Sequence, residues 1–208
     1  PLKTQIVVVG GGAGGLELAR KLGATLGRDK FDVILVERNR THIWKPLLHE
    51  VAAGSLDANL DEVGYRSHCH RWGYRFFYGA MAGLDRENRR VLIAPIRDED
   101  GREVMGPHAI RYDYVVIAIG SVANDFGTNG VAEHCVRLDS AADADRFRQR
   151  LLNQCLRVSR AMSADPRAEA HVCVVIVGAG ATGVELAAEL YNAAAALRFY
   201  GLEVFDEA

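Results

Sequence analysis

An α/β fold built on parallel strands, interrupted by an antiparallel β excursion, is what this chain predicts, and three observations carry it. First, an apolar strand runs into a glycine turn and a helix at Ile6–Gly23, IVVVGGGAGGLELARKLG. Second, the same order of strand, glycines and helix returns 168 residues later at Val174–Leu190, VVIVGAGATGVELAAEL. Third, from Tyr74 onward short alternating segments broken by polar turns read as paired strands.

The elements follow in order. Strand, turn and helix occupy about Gln5 to Leu26, and FDVILVE (Phe31–Glu37) is apolar enough for a buried parallel strand. Together they make a βαβ unit of the size that a dinucleotide fold requires. YRFFYGAMAGLD and RRVLIAPI, with a polar turn at Arg97–Arg102, form the antiparallel excursion. YDYVVIAIG (Tyr112–Gly120) reads as another buried-type strand ending in glycine. Asp139–Met162 carries Ala142, Phe147, Leu151, Leu152 and Leu156 at helical spacing, which predicts a long helix. Ser163–Glu169 is polar and holds Pro166, a break before a second βα unit from His171.

The chemistry lies in the glycines. In Gly10-x-Gly12-x-x-Gly15 the first glycine permits a sharp turn, the second lets backbone approach a pyrophosphate, and the third lets helix pack close to strand. The helix start adds unpaired N–H groups and partial positive charge for phosphates. Glu37, 22 residues past Gly15 at the end of the second strand, can accept hydrogen bonds from ribose hydroxyls and would repel a 2′-phosphate. Spacing alone does not separate FAD from NAD. Gly178-x-Gly180-x-x-Gly183 repeats the pattern, but its downstream acid, Glu203, comes without a following strand. The fold class is therefore an FAD/NAD(P)-binding, Rossmann-like three-layer fold, with a second Rossmann domain begun but incomplete. The 208 residues read as a fragment of a longer protein.

Composition narrows the classes. A net charge of -2 excludes an electrostatic nucleic-acid surface. No 18-residue apolar run spans a bilayer, and no leader-type apolar segment precedes the first strand. Cys69, Cys135, Cys155 and Cys173 form no CxxC or CxxxxC, so buried reduced thiols in a cytoplasmic compartment are expected rather than a redox dithiol or a zinc knuckle. His68-Cys69-His70 would have to converge on one ion from adjacent positions, which point apart, so no metal is expected.

Two glycine cradles around an antiparallel excursion and a long helix resemble the two-dinucleotide flavoprotein reductases. THIWKPLLHEVAAGSLD (Thr41–Asp57) looks closely like the type II NADH dehydrogenases, as do YDYVVIAIG and GVAEHCVRLDSAADADRFRQRLL. The resemblance runs along the whole chain and covers the N-terminal half of the expected protein. It implies an FAD-binding domain at 1–122 and the truncated start of an NADH-binding domain at 123–208. FAD would be tightly bound without a covalent link, and NADH would be a substrate. The FAD pyrophosphate would lie on Gly10, Gly12, Ala13, Gly14 and Gly15, with Glu37 and its neighbour Arg38 beside the adenosine ribose. Lys45 and Pro46 match the segment beside the isoalloxazine, and Met81 the backbone amide that meets adenine. Ala118, Ile119 and Gly120 match the family's ATG motif, with Ile119 a departure because threonine is usual there. Gly178, Gly180, Ala181, Thr182 and Gly183 would cradle the NADH phosphates, and Glu185 matches a glutamate near the flavin–nicotinamide contact. Lys45 and Glu185 are the candidate catalytic residues.

Plainer readings stand beside these. Lys45 can be a solvated charge by a proline turn, and Glu185 a carboxylate favoured by a helix start. His42 and Trp44 read as loop-packing residues, and His49 and Glu50 as helix neighbours that face apart. The activity implied is hydride transfer from NADH to FAD and then electrons to membrane quinone, in a respiratory chain without proton pumping. The implied location is peripheral, on the cytoplasmic side of the inner (plasma) membrane, through a C-terminal region absent here, and a homodimer is compatible with the family. The alternatives are a non-catalytic FAD/NAD-binding fragment, or a ferredoxin- or rubredoxin-type NAD(P)H reductase.

Overall fold

A computed structural model of the chain describes residues 3–26, 28–165, 170–199 and 201. Glu203 and Pro166 lie outside the described residues. In chain order the elements begin β1 (Thr4–Val9), α1 (Ala13–Leu26), β2 (Phe31–Glu37), β3 (Thr41–His42), α2 (Leu48–Ala53), α3 (Ala58–Asp61), β4 (Val63–Gly64) and α4 (Tyr65–Trp72). Next come β5 (Arg75–Tyr78), β6 (Met81–Asp85), β7 (Arg90–Ile93), β8 (Ile96–Arg97), β9 (Glu103–Met105), β10 (His108–Arg111) and β11 (Tyr114–Ile117). Strands β5 and β11 pair in parallel with β2 and β1, so the antiparallel excursion begins at β6 and not, as expected, at Tyr74. Helices α5 (Val131–His134), α6 (Ala141–Ala164) and α7 (Ala181–Phe199) complete it. The chain divides into two compact units, Pro1–Trp44 with Glu62–Ser121, and Lys45–Asp61 with Val122–Ala208.

The first unit has three layers because β1 and β2 are apolar on both faces. Side chains alternate along a strand. Ile6 and Val8, with Val33 and Leu35, therefore point to the side where Ala19, Tyr65 and Tyr74 complete one core. Val7 and Val9, with Ile34 and Val36, point to the other side and pack against Val91, Ile93, Ile110 and Tyr112. The middle layer is a parallel sheet in the order β11-β1-β2-β5. Its register sets Ile6 beside Val33 on one flank and Tyr114 on the other. The third layer is the antiparallel sheet β10-β7-β6. There Val91 and Ile93 turn inward while Leu92 between them turns out, as a one-sided sheet requires.

YDYVVIAIG departs from expectation. Only Tyr114–Ile117 pairs, at the sheet edge, and Tyr114 is 64% exposed. An apolar run states that a strand is present but not whether both neighbours exist.

In the second unit α6 is capped by Ser140, whose Oγ accepts from the Asp143 amide at 3.2 Å, close to the predicted helix start. Helix α6 buries Leu151, Cys155 and Val158 around Val172. Helix α2 packs against both α6 and α7. The expected strand before the second glycine turn is not formed among the described residues. Val172 is buried, yet Val175 and Val177 are 80% and 81% exposed. A strand exists by its ladder, and no described strand lies alongside this one.

Candidate functional site

The first glycine turn is built where β1 ends. Gly10 takes φ +101°, a left-handed conformation, and its N–H donates to the Val36 carbonyl at 2.8 Å. A Cβ there would run into the Ala118 carbonyl oxygen, and one on Gly15 into the Gly10 carbonyl oxygen. Those two glycines are thus fixed by sterics. By contrast, a Cβ on Gly12 or Gly14 would meet nothing within 4 Å, so backbone here is open to a close-approaching group. The first intrahelical bond runs from the Leu16 amide to the Gly12 carbonyl, 2.9 Å, leaving the amides before it without helical acceptors. Open backbone, a helix start and a carboxylate at the end of β2 fit a pyrophosphate-linked nucleotide.

That carboxylate is also part of the turn. Glu37 Oε2 accepts from the Gly11 amide at 2.7 Å, and Oε1 accepts from the Asn39 amide at 3.0 Å and side chain at 2.9 Å. Oε1 is filled by the two Asn39 donors, while Oε2, with one bond, keeps lone-pair capacity for a hydroxyl donor.

Sequence reasoning missed Gly11 and Tyr65. The Tyr65 hydroxyl donates to the Gly11 carbonyl at 2.7 Å, and its ring stacks on Phe76 at 5.1 Å. Any side chain at position 11 would collide with that ring. Burial first, and the nearby Glu37 charge second, raise the Tyr65 phenol above its ordinary value, so it stays a donor. His42 lies 6.3 Å from the Tyr65 ring, and burial lowers its imidazole below the ordinary value. No local pattern marks Tyr65: it opens a short helix 54 residues from the carbonyl it holds.

The remaining candidates of this unit are spread along strand ends. Ala118 follows β11, and its amide donates to the Val9 carbonyl at 2.7 Å. Ile119 is 70% exposed, and Gly120 and Arg38 are exposed. Met81 is half-buried at the start of β6, beside Ile93.

In the second unit, Gly178 takes φ +113°, and a Cβ on Gly183 would strike the Gly178 carbonyl oxygen. The Gly183 and Val184 amides donate to the Gly180 carbonyl at 3.0 and 3.1 Å. Ala181 and Thr182 are exposed at the start of α7, and Gly180 has open space where a Cβ would stand. Glu185 Oε2 lies 3.5 Å from Nδ1 of His49 on α2. His49 is buried, and Glu50 lies 3.9 Å from its other nitrogen, so the pair expected to face apart is near enough to interact. Lys45 Nζ pairs with Asp139 Oδ1 at 3.1 Å, while Pro46 is exposed. Burial pushes the Asp139 carboxyl up, but the Ala123 amide and Lys45 outweigh it and hold the group below its ordinary value. Lys45 thus faces Asp139, whereas Glu185 faces His49.

Of the His68-Cys69-His70 triplet, His68 Nδ1 is 2.8 Å from the Tyr74 hydroxyl, and the Cys69 thiol donates to the Arg66 carbonyl. Of the four thiols expected to be buried, Cys155 is, Cys69 is partly so, and Cys135 and Cys173 are exposed. No described helix is long and apolar enough to cross a membrane.

Comparison with known proteins adds the family. Residues 4–204 match the profile of the pyridine nucleotide-disulphide oxidoreductases. The chain is 46% identical to the type II NADH:quinone oxidoreductase of Haemophilus influenzae, over 97% of its own length and 48% of that protein's. It is 31% identical to the external alternative NAD(P)H-ubiquinone oxidoreductase B1 of Solanum tuberosum mitochondria, over 91% of this chain and 32% of that protein. Among solved structures, NDH2 of Plasmodium falciparum superposes with a TM-score of 0.75 at 23% identity, over 97% of this chain and 39% of that one. The chain thus spans about half, or less, of the curated relatives it matches.

Proposed function

Since the chain belongs to the pyridine nucleotide-disulphide oxidoreductase family, we propose that it is the dinucleotide-binding part of a flavoprotein carrying electrons from NADH through FAD to quinone. The single observation that carries this reading is the pair of glycine turns with one steric design, Gly10 with Gly15 and Gly178 with Gly183. The 46% identity to a type II NADH:quinone oxidoreductase supports the choice of electron acceptor. All cysteines are free and no CxxxxC occurs, so the disulfide chemistry in the family's name has no dithiol in these residues.

We assign FAD to residues 1–122 and NADH to the domain beginning at 123. Gly10, Gly12, Ala13, Gly14 and Gly15 hold the FAD pyrophosphate on open backbone, and Glu37 accepts from the adenosine ribose while bracing the turn through Gly11. Met81 lies toward the adenine, and Ala118, Ile119 and Gly120 close over the FAD from the end of β11. Gly178, Gly180, Ala181, Thr182 and Gly183 hold the NADH phosphates at the start of α7, with Glu185 next to the nicotinamide. Bound FAD supplies the hydride-accepting and electron-passing chemistry, so no side-chain nucleophile is required. The chain's work is to bind, orient and exclude water. The whole protein would meet its quinone at the membrane face, without pumping protons.

The test is the visible spectrum of the chain after incubation with FAD and desalting. Retained bands near about 375 and 450 nm, bleached by NADH without oxygen, are expected. A colourless protein sinks the first-turn assignment. Retained colour that NADH leaves unchanged points instead to a binding module without turnover.

A further inference from the structure

Three side-chain nitrogens among the described residues are buried without a hydrogen-bond partner: His42 Nε2, His49 Nδ1 and Arg148 Nε. A buried donor with no acceptor is costly, so each asks what it is poised to meet. For His49 the answer is on the page. Its side chain is 11% exposed on α2, and Nδ1 faces Glu185 Oε2 at 3.5 Å. That is just beyond hydrogen-bond reach, and Glu185 is an exposed side chain free to close the gap.

A second contact fixes the geometry. Ser55, just past the end of α2, donates from Oγ to Glu189 Oε2 at 2.6 Å. Glu185 and Glu189 stand one turn apart on α7, so they lie on one face of that helix. Helix α2 therefore meets α7 at two successive turns, once through Ser55 and once through His49. The Ser55 bond holds the separation, and His49 is left aimed at Glu185. Leu48, Val51 and Ala52 are buried on α2 together with His49.

We infer that His49 is a positioning residue of the second glycine turn, which through its Nδ1–H holds the Glu185 carboxylate in one orientation at the start of α7. The inference rests on the reading that Glu185 serves the NADH site. Nδ1 is the protonated nitrogen whether the ring is neutral or cationic, because only an N–H satisfies the carboxylate. Glu50, 3.9 Å from Nε2, is the more distant of the two carboxylates, so Glu185 is the better placed to take the ring N–H. His49 touches neither NADH nor flavin in this scheme. It acts through Glu185.

The experiment uses three variants of the chain and two readouts. Asparagine places an N–H near the Nδ1 position, glutamine places it near Nε2, and leucine has none. NADH affinity, read by nicotinamide fluorescence, should fall about tenfold in His49→Leu and His49→Gln. His49→Asn should regain most of that loss. In a Glu185→Gln background His49→Leu should add little, since residues acting through one contact are not additive. A ring 1H–15N spectrum supplies the second readout, in which the His49 Nδ1 signal should move on Glu185→Gln. Should His49→Leu fail to fold by circular dichroism, the asparagine and glutamine variants carry the comparison. Additive losses in the double variant, or equal losses in all three His49 variants, overturn the inference. A parent chain that binds no NADH defeats the functional reading instead. The ring spectrum then decides alone, a shifted Nδ1 signal supporting the His49–Glu185 contact and an unmoved one refuting it.

Discussion

In the first glycine turn the Cβ that Gly15 lacks would occupy the Gly10 carbonyl oxygen; in the second, the Cβ that Gly183 lacks would occupy that of Gly178. The local sterics are the same, and so is the positive φ of the leading glycine, +101° and +113°. The surroundings differ. The first turn is held by β2 through the Gly10 amide, by Glu37 through the Gly11 amide and by Tyr65 through the Gly11 carbonyl. The described contacts of the second turn are its own helical bonds to the Gly180 carbonyl, and no ladder flanks the segment before it. A glycine motif thus specifies its bend locally, while the stiffness of the bend comes from tertiary partners. Damage to the first turn should therefore spread to the fold of its unit, and damage to the second should stay with its ligand.

The largest expected effect tests that contrast directly. Gly15→Val forces a side chain into backbone where nothing can yield, and should destabilise the first unit by about 3 kcal/mol or more. Chemical denaturation should show the loss, with FAD retention abolished. Gly183→Val should cost about 1 kcal/mol of stability, because its surroundings can relax, while NADH affinity drops at least about tenfold. Equal destabilisation by the two substitutions would break the comparison.

Next in size is Tyr65→Phe. It removes one oxygen and leaves the buried Gly11 carbonyl without its donor, at a cost of about 1–3 kcal/mol. A urea midpoint unchanged from the parent would show that Tyr65 fills space rather than bracing the turn. Glu37→Gln separates bracing from binding. Glutamine can still accept from the Gly11 amide, but its NH2 then faces the exposed Asn39 donors, so stability should fall by only about 1 kcal/mol while FAD affinity falls about tenfold. The discriminating measurement is FAD titration alongside thermal unfolding. A large thermal loss with unchanged FAD affinity would reassign Glu37 to the fold alone.

What could be read from the sequence divides along the same line. Gly10, Gly12 and Gly15 were legible because a sharp turn, an open backbone and a close helix each demand glycine at a fixed spacing. Val7 and Val9 against Ile6 and Val8 were legible because a strand covered on both faces shows no alternation. The α6 start at Ala141 was within two residues of the predicted one. Tyr65 and the role of Gly11 were not legible, since their contact spans 54 residues and neither belongs to a spaced pattern. The His49–Glu185 approach was hidden for the same reason, because adjacency to Glu50 says nothing about what α7 brings to the other side of the ring. The strand expected at Val172–Val177 failed on a further point: apolar β-branched residues propose a strand, but a neighbour must supply the ladder.

The smallest predicted effect concerns Asp139, which gathers Lys45 Nζ at 3.1 Å and the Ala123 amide at 3.0 and 2.9 Å within the second unit. These partners favour the charged carboxylate more than burial disfavours it, so its folded value lies below the ordinary one. A group lowered on folding adds stability above its unfolded pKa and loses it as the pH falls through the folded value. The contribution should therefore be present at neutral pH and vanish below the usual carboxylate range. Lys45 is half exposed, which keeps the pair under about 1 kcal/mol. Asp139→Asn keeps an acceptor for the Ala123 amide and removes only the charge. The parent and variant should differ slightly at neutral pH and converge in acid, with the neutral difference shrinking in high salt. A gap that persists unchanged into acid would mean that the carboxylate charge, and with it the Lys45 pair, is not what the variant lost.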